Sequence, residues 1–152
     1  MNKHNNHCNH YKIINLYKIG GNSKKNKNHH STSNDLNNLH TYEKTVKEPW
    51  FSLIKFGIKT VEGRLNKGEF SEMKIGDSIR FINYDLNLES PRKFTIKITN
   101  ITNYSTFESY LKSETLQKCL PGIDNIDDGL KIYYSFYNKN DELKYGIRAL
   151  TF

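Results

Sequence analysis

Residues 46–152 read as an α+β or mainly-β domain, a small barrel or curled sheet with peripheral helices, and residues 1–45 read as a disordered Asn/Lys/His-rich tail before it. Three observations predict this. Short stretches of alternating apolar and polar residues are separated by turn signals, the pattern of short strands. Helical spacing occurs once before those stretches and twice after the clearest of them. The first 45 residues carry few apolar side chains outside Tyr11–Ile19, so they cannot bury enough surface to offset their ordering entropy. Within that tail, a short helix or strand near Ile13–Tyr17 is the most that is expected.

The elements follow in chain order. Pro49 suits the first turn of a helix, Trp50, Leu53 and Ile54 recur at helical spacing, and Gly57 is a stop. Lys59 to Arg64 reads as a strand and Lys74-Ile75-Gly76-Asp77 as a turn. Ile79 and Phe81 alternate with Ser78 and Arg80, predicting a second strand, and Phe94, Ile96 and Ile98 alternate with Thr95 and Lys97, the clearest strand of the chain. Ser105-Thr106-Phe107-Glu108 has the form of a capping box and opens a helix with Phe107, Tyr110 and Leu111. Leu120-Pro121-Gly122 closes that region. Asn125 caps a third helix with Ile126, Leu130, Tyr133 and Tyr137 on one stripe, and Asp141-Glu142 precedes a last strand over Tyr145–Phe152.

Charge divides unevenly between the two parts. The chain has 152 residues and a net charge of +7, of which residues 1–47 carry +6 and residues 48–152 only +1. A broad basic surface for nucleic acid is therefore not expected of the folded part. No apolar run reaches the ~18 residues of a spanning helix, so no membrane association is expected. The start shows no apolar core with a small-residue cleavage site, and an Arg-free basic start is a poor transit peptide. With two cysteines, Cys8 and Cys119, the expected setting is reducing and intracellular, cytoplasm and nucleus not being distinguished.

Four features offer chemistry. On a strand, Thr60, Glu62 and Arg64 share a face. With Lys59 they make a charged cluster beside Trp50 and Phe51, able to grip a polar planar ligand: Arg forks onto phosphate or carboxylate, Glu accepts from an amino group, and Lys supplies charge or a nucleophile. The plainer reading is a solvated strand face with an ion pair. The aromatic group Trp50, Phe51, Tyr84, Tyr104, Tyr133, Tyr134, Tyr137 and Tyr145 reads first as core packing, with Trp50 the candidate for base stacking. His4, His7, Cys8 and His10 match no zinc-ligand spacing, so no metal or other cofactor is expected. Lys24, Lys25 and Lys27 can touch phosphates without specificity, or the tail is an appendage with no dedicated partner. Cys119 has no histidine near it in the folded part to activate it.

The run Ile54-Lys55-Phe56-Gly57-Ile58-Lys59-Thr60-Val61-Glu62-Gly63-Arg64-Leu65, preceded by Glu48-Pro49-Trp50-Phe51, resembles the ASCH domain (activating signal cointegrator homology). The similarity continues through Lys74–Asp77, Ile79–Asn83, Leu120-Pro121-Gly122 and the Tyr137…Glu142–Ile147 ending, over about residues 46–152. Gly-x-Lys-x-x-Glu-x-Arg is the family's signature. The resemblance implies a PUA-like β-barrel with flanking helices and a cleft for RNA, a nucleotide or a nucleoside. The candidate binding set is then Trp50, Gly57, Lys59, Thr60, Glu62, Arg64, Asn83 and Tyr145. The expected partner is RNA or a nucleotide or nucleoside, with weak contact from the basic tail, and the expected state is a monomer. One branch of the family hydrolyses acetylcytidine with a lysine, a threonine three positions later and a helix glutamate. Lys59 matches the lysine, Glu62 stands in the threonine's place, Thr60 is offset by two, and Glu114 aligns loosely. Two alternatives therefore stand beside a binding module: a hydrolase acting on a modified nucleoside or on RNA, with Lys59 and Glu62 catalytic, and a non-catalytic protein-interaction module.

Overall fold

The alternating stretches become neighbouring strands, and the helices gather around them. The computed structural model describes residues 38–86 and 89–152. In chain order they form β1 (Thr41–Thr45), α1 (Trp50–Lys55), β2 (Val61–Leu65), α2 (Glu69–Glu72), β3 (Ser78–Asn83), β4 (Arg92–Lys97), β5 (Asn100–Tyr104), α3 (Phe107–Glu114), α4 (Leu116–Cys119), α5 (Ile126–Tyr134), α6 (Lys139–Tyr145) and β6 (Ile147–Thr151). The class is mixed α+β. No helix among the described residues is long and apolar enough to cross a membrane.

The strands form two three-stranded sheets, ordered β1-β3-β4 and β2-β6-β5. In the first, β1 runs parallel to β3, and β4 pairs antiparallel with Phe81 opposite Phe94. The second is antiparallel throughout. Ile98-Thr99 carries the chain from one sheet to the other, where the Thr99 amide donates to the Thr151 carbonyl at 2.8 Å. The Phe152 amide donates to the Thr60 carbonyl at 3.0 Å, extending the β2–β6 pairing by one residue. Phe51, Phe81, Phe94 and Phe152 meet at centroid distances of 4.9–5.9 Å in the core.

Small residues decide how α3 seats on the second sheet. Gly63, Ala149 and Thr102 lie opposite one another across β2, β6 and β5, so they share one face. The fully buried Tyr110 ring lies against that row, and a Cβ on Gly63 would stand 2.5 Å from Tyr110 Cζ. No side chain larger than hydrogen fits there without displacing the ring.

Several expectations are corrected. The strand Thr41–Thr45 lies on the tail side of the 45/46 boundary. Its half-exposed pattern carries little apolar signal, because an edge strand is held mainly by backbone bonds. The buried Asp77 fixes its approach, accepting from the His40 and Lys74 amides at 2.8 Å each. The remainder of the expected tail, residues 1–37, lies outside the described residues. The box that opens α3 is Thr106 with Ser109, not Ser105 with Glu108: Thr106 Oγ1 accepts from the Ser109 amide at 3.0 Å, and Ser109 Oγ accepts from the Thr106 amide at 3.2 Å. The final strand starts at Ile147, because Asn138 caps the helix α6 and buried Glu142 accepts from the Phe107 amide at 2.6 Å. α2, α4 and β5 had no counterpart in the expected elements. Asn125 caps α5 as expected, accepting from the Asp128 amide at 2.9 Å.

Candidate functional site

The site starts with the way α1 ends. The Gly57 amide donates to the Ile54 carbonyl and the Ile58 amide to the Leu53 carbonyl, the two bonds of a Schellman motif. Gly57 has φ +69 with open space where a Cβ would stand, so its backbone conformation and not its size is what the turn requires. This tight exit sends Lys59 inward, to 2 % exposure, at the mouth of β2.

Lys59 is held on three sides. Its Nζ donates to the Val61 carbonyl at 2.7 Å and to the Cys119 carbonyl at the end of α4, and lies 3.0 Å from Glu62 Oε2. Three acceptors account for the three hydrogens of the ammonium. The same cation lies 5.8 Å from the Trp50 ring centroid. Glu62, on β2, takes its second partner through Oε1, which accepts from Arg64 Nε at 2.7 Å. Arg64 Nη1 donates in turn to the Tyr137 hydroxyl at 3.2 Å, and its guanidinium lies 5.3 Å from the Phe70 ring centroid. Burial alone would raise the Glu62 carboxyl, but the Lys59 ammonium and Arg64 guanidinium outweigh it and hold the group below its ordinary value. Glu62 is therefore an anion between two cations, buried to 5 % exposure.

A narrow cleft opens above this floor, with about 20 Å³ of room for water-sized groups. Lys59, Glu62, Gly63 and Arg64 form its floor, and Trp50, Leu120, Ile132, Tyr133, Phe136 and Tyr137 its walls. The wall on the α5 side is braced from behind, because Phe107 is stacked between Tyr133 at 4.3 Å and Tyr137 at 5.3 Å. Chemically, the floor offers carboxylate oxygens and guanidinium donors side by side, in a partly water-excluded space beside flat apolar surfaces. Such a floor can pair with the polar edge of a planar group.

The predicted residues divide. Trp50, Lys59, Glu62 and Arg64 come together at the cleft. Gly57 shapes the turn that delivers Lys59. Thr60 lies beside the cluster through its backbone, its amide donating to the Lys118 carbonyl at 3.0 Å. Asn83 is placed in the other sheet, where Nδ2 donates to the Val46 carbonyl at 2.9 Å and Oδ1 accepts from Arg92 Nη2 at 2.6 Å. Tyr145 closes α6 with Lys67 Nζ 5.0 Å from its ring centroid. Neither lines the cleft. Glu114 accepts from the Tyr104 hydroxyl at 2.7 Å, and burial together with that contact pushes Tyr104 up to about 12. Cys119 is fully buried, its thiol pushed up to about 11 by burial. Sequence reasoning missed Ile132 on α5 and Phe136 just beyond its end, because neither falls on the stripe of Ile126, Leu130, Tyr133 and Tyr137. Among the described residues, no group of three or more His, Cys, Asp or Glu is placed to hold a metal ion. His4, His7, Cys8 and His10, and Lys24, Lys25 and Lys27, lie outside the described residues.

Comparison with known proteins bears on the family and the fold. The family model of the ASCH domain matches residues 45–152. The crystal structure of hypothetical protein PH0355 is 34% identical, with a TM-score of 0.62, over 73% of this chain and 95% of that one. The solution NMR structure of protein PF0455 from Pyrococcus furiosus is 30% identical, with a TM-score of 0.59, over 73% of this chain and 94% of that one. No curated protein matches the chain.

Proposed function

The chain belongs to the ASCH domain family, and from that premise we propose that it is a small RNA- or nucleotide-binding module whose ligand enters the cleft above Glu62 and Arg64. The observation that carries this reading is the buried Lys59–Glu62–Arg64 cluster facing an aromatic wall. Isolated buried charges are costly, and a cluster that is held ionised at the bottom of an open cleft has a use there. In this reading Glu62 accepts from an amino or hydroxyl group of the ligand, Arg64 donates to a carbonyl or phosphate, and Lys59 holds Glu62 in place. Lys59 is committed to three acceptors, which favours binding over the alternative in which it serves as a hydrolytic nucleophile. We read the two sheets, joined where Ile98–Thr99 carries the chain from β4 to β5 and by the Phe81–Phe152 ring contact, as the halves of the PUA-like barrel that the family implies.

A thermal-shift screen of the full chain tests the proposal, using nucleosides, mononucleotides and short single-stranded RNA. A ligand at 100 times its Kd stabilises by about 2.7 kcal/mol, equivalent to about 10 °C for a domain of this size. At least one class is expected to raise the melting temperature, and Arg64→Gln to abolish that rise. The absence of any shift up to millimolar ligand rejects the proposal.

A further inference from the structure

Immediately before the buried Lys59, the chain does the opposite with its apolar side chains. Phe56 is 71% exposed and Ile58 is 54% exposed, on either side of Gly57. The Schellman turn accounts for this: it fixes three consecutive residues so that Lys59 goes in and its neighbours stay out. A helix ending of this kind is ordinarily accompanied by an apolar contact between the residue after the glycine and the last turn, yet Ile58 remains half open to water. Two exposed apolar side chains two positions apart, within three positions of the cleft residue Lys59, offer a contact surface.

The surroundings say what the surface fits. Lys55 Nζ lies 5.9 Å from the Phe56 ring centroid. Lys118, exposed on α4, is tied by its backbone to the residue two positions after Ile58, its carbonyl accepting from the Thr60 amide at 3.0 Å. Among the described residues neither Lys55 nor Lys118 takes part in an ion pair, whereas Lys44, Lys67, Lys112 and Lys131 each have a carboxylate partner. Lys118 is also next to Cys119 and Leu120, which hold and line the cleft. An exposed aromatic face with two uncommitted ammonium groups is the equipment for a stacked base and its phosphates.

We infer that Phe56, with Lys55 and Lys118, is a second stacking platform that takes the nucleotide adjoining the one in the cleft. The ligand class is then a single-stranded polynucleotide, not a free nucleoside. This rests on the cleft reading above, and the experiment separates the two. Binding of a labelled RNA hexamer is measured on the full chain by fluorescence anisotropy, and binding of the four mononucleotides by calorimetry. The hexamer is expected to bind more tightly than any mononucleotide. Phe56→Ala is expected to weaken hexamer binding about 5- to 150-fold, the range for removal of one base–aromatic stack, and to leave mononucleotide binding unchanged. Phe56→Trp is expected to retain hexamer affinity. Lys55→Gln with Lys118→Gln lowers the slope of log K against log salt by about 0.7 for each phosphate that is no longer neutralised. Because Phe56 is exposed, the melting temperature of Phe56→Ala stays at the wild-type value, and the Lys variants give a second reading if it does not. A tail contribution is common to wild type and variants and cancels in their ratio. Equal hexamer affinity for wild type and Phe56→Ala overturns the platform, as does a wild-type chain that binds the hexamer no better than a mononucleotide. A wild-type chain that binds neither rejects the cleft reading, and the platform with it.

Discussion

Glu62→Gln is the substitution that most directly probes the charged floor. Glutamine keeps the volume and removes the charge, leaving Lys59 and Arg64 buried beside a neutral amide. The separations are 3.0 Å to Lys59 Nζ and 2.7 Å to Arg64 Nε. At an effective dielectric of about 20 each pair attracts by about 5–6 kcal/mol, most of which is offset by the cost of burying the charges. Removing one partner of such a pair leaves a net loss of about 3–5 kcal/mol. That is a large share of the ~5–15 kcal/mol that keeps a domain folded. Urea denaturation at pH 7 is expected to show this loss, and thermal denaturation a fall of about 12–20 °C. The pH dependence follows from the shift. Glu62 is held below its ordinary 4.5 in the folded state, so its stabilisation is complete above that value and fades as pH drops through the lower folded value. The gap between wild type and Glu62→Gln therefore narrows below about pH 4.5. Glu69→Gln, at the half-exposed ion pair with Lys44, serves as a control and costs under about 1 kcal/mol. A Glu62→Gln chain within about 1 kcal/mol of wild type, or a gap that is constant down to pH 3, would refute the claim that the Glu62 anion holds the floor together.

Two further predictions concern the scaffold. Gly63→Ala puts a methyl 2.5 Å from the ring of the fully buried Tyr110, so it is expected to cost about 1–3 kcal/mol in urea denaturation; an unchanged midpoint would show that α3 seats elsewhere. Thr115, between α3 and α4, has φ +70 and ψ +145, a conformation nearly reserved for glycine, and its side chain is exposed. Thr115→Gly is expected to stabilise by about 0.5–2 kcal/mol, the relief of strain less the extra freedom of glycine in the unfolded chain; a loss of stability by the same measurement contradicts this.

How much of this was legible in the sequence depends on how far each feature reaches along the chain. The strands β3 and β4 were readable because one face of each is apolar and the period of two is local. Edge strands β1 and β5 were not, because Thr41–Thr45 and Asn100–Tyr104 are held by backbone bonds to β3 and β6, and neither shows a clean apolar alternation. Helix α6 was hidden for a related reason: Glu142 looks like a solvent-facing turn residue until the Phe107 amide, 35 positions away, is brought to its carboxylate. The floor of the cleft was legible because the Schellman turn and the strand that follows are both short-range structures. They bring Lys59, Glu62 and Arg64 together from within six consecutive residues. What the sequence by itself determined was therefore the family, the α+β class and the identity of the charged cluster. Only the tertiary structure decided that the cluster is buried and walled by α5, that Lys59 is committed to the Cys119 carbonyl 60 positions on, and that Arg64 reaches Tyr137 73 positions on. It also placed Asn83 and Tyr145 away from the cleft. The physical reason is that residue type records whether a side chain prefers water or the interior, whereas the partner it meets there is set by the packing of distant elements.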